Sequence, residues 1–167
     1  MKAKLLAGVS LAALMLLVLP ARGADVISIY DTIAGQKEHT FLFVAVKEAG
    51  EVATLKGTAK GMTKWTLFAP TDAAFKKLDG AAIDAIATDA KVVPRLVRAH
   101  LVPGVYTADD LRKMSGKELK TVAGVTLKIE DTKDGLRVGG AKITSADGGC
   151  SNGVIHVIDT VLPVPKE

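Results

Sequence analysis

From Lys117 onward the chain leaves helical spacing for alternation, and it closes on "VIHVIDTVLPV", an almost unbroken apolar run from Val154 to Val164. A run of that kind reads as a strand buried on both faces. The other elements must then cover it from two sides. "KELKTV" and "VTLKIE" precede it, separated by the turn signal Ala123-Gly124. In the second segment Val125, Leu127 and Ile129 point one way, and Thr126, Lys128 and Glu130 the other. "DTKDG" reads as a solvated hairpin turn. It lacks the alternating acids and the closing Glu of a calcium loop. "LRVGGAKITSA" supplies one or two more strands, and "DGGCSNG" reads as a loop.

The first half is patterned differently. "SIYDTIAG", "HTFLFVAVKEAG" and "EVATLKG" predict three short helices, the last ending at Gly57. In the second, Phe41, Val44 and Ala45 recur at helical spacing and define the inward face. "TAKGMTK" is a polar loop. "WTLFAP" is a strand with Trp65, Leu67 and Ala69 alternating with Thr66 and Phe68. Pro70 ends it. Thr71 caps the following helix through its hydroxyl, and Asp72 suits the positive end of that helix. Phe75 and Leu78 share its inner face, and Gly80 stops it. "AAIDAIA" is a further helix with Ile83 and Ile86 inward. "VVPRLVRAHL" is another, with Pro94 in its first turn and Val93, Leu96, Val97, His100 and Leu101 as its apolar stripe. Helices, one strand, more helices and then a run of strands indicate an α+β fold with a mainly antiparallel sheet.

A chain of 167 residues with 49% hydrophobic content has room for one core. Aromatics contribute 4%, so aliphatic side chains fill it. Residues 1–23 form a secretory signal peptide by pattern: basic "MKAK", the uncharged run Leu5–Leu19, then small Ala21 and Gly23. Cleavage after Gly23 leaves 24–167 as a single domain, with Ala24 the alternative last residue of the leader. Localisation is then secreted, periplasmic or extracellular. Loss of Lys2, Lys4 and Arg22 lowers the formal net charge from +4 to +1. With no basic run and no interleaved aromatics, nucleic acid is a poor partner.

Few residues are candidates for chemistry. There is no P-loop, G-x-S-x-G or G-x-G-x-x-G. His39, His100 and His156 form no metal-binding spacing, and no cofactor is indicated. Cys150 is the lone cysteine. It can be buried and inert, reactive, or the link of a disulfide dimer. A thiol or serine hydrolase would join Cys150 or Ser151 to His156 or His100, with Asp159 as orienter. The competing reading places His156 on a buried strand and His100 on an apolar helix stripe, both as neutral core residues. A small-ligand carrier with a groove between helices and sheet is a further alternative.

Three stretches resemble one known family. "TLFAPTDAAFKKL" looks like the first block of the fasciclin-type adhesion domain, "LVRAHLVPGVYTADDL" its middle block and "SNGVIHVIDTVLPVP" its closing block. Order and spacing match, most closely to single-domain secreted bacterial members. The resemblance implies a wedge of β-strands packed with several short α-helices. It also implies a non-enzymatic adhesion module for cell-surface or matrix protein or polysaccharide. Its signature positions here are Phe68, Ala69, Pro70, Thr71, Asp72, Phe75, His100, Pro103, Gly104, Asn152, Gly153, His156 and Asp159. Asn152-Gly153 has a local reason in the positive φ of a tight turn. In the middle block the family's tyrosine before the histidine is replaced by Ala99. The Asp-Ile pair through which some animal members bind integrins corresponds to Asp147-Gly148. Ala99, His100, Asp147 and Gly148 are therefore the candidate partner-binding positions.

Overall fold

The computed structural model describes residues 27–58 and 63–165. The expected signal peptide, residues 1–23, and part of the "TAKGMTK" loop lie outside the described residues. Three helices come first: α1 (Ile29–Ala34), α2 (Thr40–Glu48) and α3 (Val52–Lys56). Strand β1 (Trp65–Pro70) follows, then α4 (Asp72–Phe75), α5 (Gly80–Thr88), α6 (Val92–Ala99), β2 (Leu101–Pro103) and α7 (Ala108–Lys113). The chain ends in β3 (Glu118–Lys120), β4 (Thr126–Thr132), β5 (Gly135–Val138), β6 (Ala141–Cys150) and β7 (Gly153–Ile158). The sheet order is β2-β1-β7-β6-β5-β4-β3. Every pairing is antiparallel except β1 with β7, which is parallel from Trp65↔Gly153 to Pro70↔Ile158. Val122, just beyond β3, donates its N–H to the Leu101 carbonyl of β2 at 2.8 Å. That bond brings the two outer strands together, so the sheet curls towards a barrel.

The two inner strands separate two cores. Leu67 and Ala69 of β1 and Ile155 of β7 face the helices, where Ile33, Leu42, Val46, Leu96 and Val97 cover them. Phe68 and Ile158 face the barrel interior with Leu127, Ile129, Val138 and Leu111. The alternation in "WTLFAP" therefore sorts residues between two apolar compartments rather than between core and water. The long apolar run is likewise buried on both faces, as its composition predicts.

Thr71 accepts from the Ala74 N–H and caps α4. Asp72 lies in the first turn of α4, but its carboxylate reaches across to accept from the Phe41 N–H of α2 at 3.0 Å. Helix α2 has no side-chain cap of its own. The acid–hydroxyl pair therefore ends two different helices.

Five expectations are corrected. Leu42, Ala45 and Val46 form the buried face of α2, whereas Phe41 and Val44 are 54% and 50% exposed. Gly80 begins α5 rather than ending α4, because the Asp79 carboxylate caps the new helix through Ala82 N–H. Ile83 is 48% exposed, and no residue of α5 is fully buried. Asp147 to Cys150 belong to β6, with Gly148 to Cys150 paired to β7 and Asp147 in the register shift, leaving only Ser151-Asn152 as the turn. The stripe of α6 is also divided, since the helix ends at Ala99 and Leu101 already belongs to β2.

Candidate functional site

Phe68, His100 and His156 lie along β1, the end of α6 and β7, and Asn152-Gly153 opens β7. His156 follows from the period of β7, which turns it inward with Val154 and Ile158. Its ring stacks on Phe68, with centroids 5.7 Å apart. Nε2–H donates to the Tyr106 carbonyl at 2.7 Å, and Nδ1 accepts from the Asp147 N–H at 3.4 Å. Burial lowers the pKa of His156, opposed by the Tyr106 bond and the Asp147 charge. Asp147 sits at φ 58° where the β6 register shifts. Its carboxylate accepts from the Ala108 N–H at the start of α7, at 2.8 Å. One imidazole and one bulge residue thus tie strand, loop and helix together.

His100 does a similar task at the end of α6. It is fully buried, with Nδ1–H donating to the Leu96 carbonyl at 2.8 Å and Nε2 accepting from the Leu162 N–H at 2.9 Å. Burial pushes its pKa down to about 4, against the raising effect of the Leu96 bond. Ala99 beside it is also fully buried. Neither side chain can form part of a partner surface, which corrects that expectation. Asp147 and Gly148 are exposed.

Asn152 acts through its amide. It accepts from the Ile29 N–H at 2.9 Å and donates to the Leu55 carbonyl at 2.8 Å. Its own carbonyl accepts from the Trp65 N–H at 3.0 Å. The turn thus clips α1, α3 and β1 together. Of the Asn-Gly pair only Gly153 takes a positive φ, at 158°. Gly153 is required because a Cβ there would collide with the Trp65 carbonyl oxygen. Asn152→Ala would strand a buried donor and a buried acceptor, so a loss of about 2 kcal/mol is expected in urea melts. Gly104 does take a positive φ, 104°, at the end of β2, and its carbonyl accepts from the buried Thr66 hydroxyl at 2.8 Å. Pro103, exposed, pairs with Trp65.

The hydrolase arrangement is not assembled. The Cys150 thiol lies 3.3 Å from Thr32 Oγ1 and 3.7 Å from the Gly148 carbonyl, and no histidine among the described residues stands beside it. Both nitrogens of His156 and of His100 are committed elsewhere. Asp159 accepts from the Lys142 and Thr160 donors and pairs with Lys77, not with a histidine. Burial raises the Cys150 pKa, and the Thr32 bond only partly offsets this. Alkylation of Cys150 at pH 7 is therefore expected to be slower than for a free thiol, checked against a model peptide under iodoacetamide.

The Fasciclin domain profile matches residues 37–165. The chain belongs to the fasciclin-domain family. Protein sll1483 of Synechocystis sp. is 36% identical over 83% of this chain and 74% of its own length. Cell surface glycolipoprotein MPB83 of Mycobacterium bovis is 33% identical over 62% of this chain and 46% of its own. Human periostin is 32% identical over 67% of this chain, which spans only 13% of periostin. The fold is similar to a FAS1 domain pair from the insect cell adhesion molecule Fasciclin I, with TM-score 0.72 at 20% identity, covering 84% of this chain and 52% of that one. The fasciclin domain thus accounts for the β-wedge with short helices. The clip made by Asn152 and the cross-cap made by Asp72 were not legible in sequence, because both partners lie far along the chain. Asn-Gly before an apolar run was the only local signal for the first.

Proposed function

We propose that this fasciclin domain is a secreted, non-enzymatic interaction module that binds a cell-surface or extracellular-matrix protein or polysaccharide. The observation carrying this reading is the fasciclin match over residues 37–165. The company of relatives named as a cell-surface glycolipoprotein and a cell adhesion molecule supports it. His100 and His156 support it too, since both are spent on holding backbone. The leader-like N-terminus supports export. Among the described residues no helix is long and apolar enough to cross a membrane. On this reading the partner would be met at the Asp147-Gly148 bulge, which is exposed on the rim of the His156 cluster. The purified protein should bind saturably to at least one of a set of envelope polymers, matrix polymers or intact cells. Asp147→Lys should weaken that binding. Absence of saturable binding across the whole set would sink the reading.

A further inference from the structure

Helix α5 lies on apolar surface without burying a single residue completely. On one side is a groove of about 280 Å³ walled by Phe41, Phe75, Leu78, Ile83 and Ile86. On the other is a groove of about 560 Å³, where Leu96, Val161 and Val164 take part in the wall. Leu78 and Ile86 line both, so the two adjoin at these side chains, and Asp89 and Arg95 stand on the larger wall. Phe41 and Ile83 remain about half exposed at the mouth of the smaller one. Among the described residues on that smaller wall, exposed Lys76 is the only charged side chain.

This lining selects between occupants. An inserted peptide would bring backbone N–H and C=O groups into the smaller groove, where the wall has almost nothing to pair with them. An alkyl chain carries no such groups. Its burial is favourable per methylene, and a terminal carboxylate would meet Lys76 at the mouth. Combined, the grooves fall in the size range of small-molecule sites. We propose that the grooves around α5 bind a free single-chain amphiphile with a carboxylate head, its chain along Phe41, Ile83 and Ile86 and its head at Lys76. The proposal is independent of the adhesion reading at Asp147, and either can fail alone.

The test is displacement of a dansylated undecanoic acid from the purified protein by decanoate, laurate and myristate, all below their aggregation concentrations. Saturable displacement is expected, tightening roughly two- to fourfold per added methylene. Ile83→Asp should weaken laurate by about tenfold or more, because it places a charge on the chain's path. Lys76→Glu should weaken laurate but leave dodecanol unchanged. Both positions are exposed, and thermal melts confirm that the variants remain folded. The proposal is overturned by no saturable displacement, by affinity that ignores chain length, or by an Ile83→Asp variant that binds like the parent. Equal loss of laurate and dodecanol in Lys76→Glu overturns the head-group assignment. Binding to anionic phospholipid vesicles without binding of monomeric acids would replace the ligand site with a membrane-facing patch.

Discussion

Gly153→Ala is expected to cost more than about 3 kcal/mol, a large part of the stability of an ordinary domain. The backbone angle, φ 158°, already disfavours a side chain, but the larger cause is steric. A Cβ at this point would run into the carbonyl oxygen and carbon of Trp65, and Ile29 Cδ1 stands 3.0 Å away on the helical side. Main-chain atoms cannot swing aside as a lysine tip can. Relief requires β1 and β7 to part at Trp65↔Gly153, the first pair of their parallel ladder. That movement would also pull on the Trp65 N–H bond to Asn152 and on the clip between α1 and α3. Gly149→Ala is the control. It lies nearby in β6 with open space around a new Cβ and without a positive φ, so a change within about 1 kcal/mol is expected. Urea denaturation of both variants decides the matter. A Gly153→Ala protein that unfolds within about 1 kcal/mol of the parent would show that the strands do not approach as described.

Acidification from pH 7 to pH 4 is expected to remove about 3 kcal/mol through His100 alone. Its pKa falls from 6.5 in the unfolded chain to about 4 in the folded one, and each unit is worth about 1.36 kcal/mol. Between those values the unfolded state binds the proton and the folded state does not. Stability is therefore fully present above pH 6.5 and declines as pH falls to about 4, with no further loss from this group below that. His156, shifted in the same direction by burial, adds to the decline. The physical event at His100 is specific. A proton on Nε2 would face the Leu162 N–H, setting donor against donor in a buried site. Urea midpoints at pH 7, 5.5 and 4 measure the total, and the His100 ring resonances measure its share. A His100 that titrates near 6.5 in the folded protein would contradict the buried assignment.

Much of the architecture was legible because it rests on local pattern. The period-two segments reported Leu127 and Ile129 as inward, and both are fully buried. Thr71 announced a helix start, and Gly57 an end in left-handed conformation. The failures have a common physical origin in surfaces with more than one apolar option. Helix α2 carries Phe41 and Val44 on one side and Leu42, Ala45 and Val46 on another, so spacing alone could not choose the face. Ile83 has the spacing of a core residue but meets a groove instead. Gly148 and Gly149 have poor strand preference, yet β7 holds them in its ladder, with Asp147 bulged beside them. The candidate site was half legible. His156 was readable as a strand-buried histidine, whereas the burial of Ala99 and the reach of Asn152 depend on contacts between distant segments.

The parallel pairing of β1 with β7 also sets the order in which the molecule can be built. Trp65–Pro70 emerges early and Gly153–Ile158 late, yet the later strand must slide between β1 and β6. Until it does, two strand edges stand open, and "WTLFAP" is an apolar one. Contacts so distant along the chain slow folding and prolong that exposure. A nascent chain halted before Gly153 would thus remain loose and aggregation-prone, and the last ladder to form would act as the lock on the whole domain.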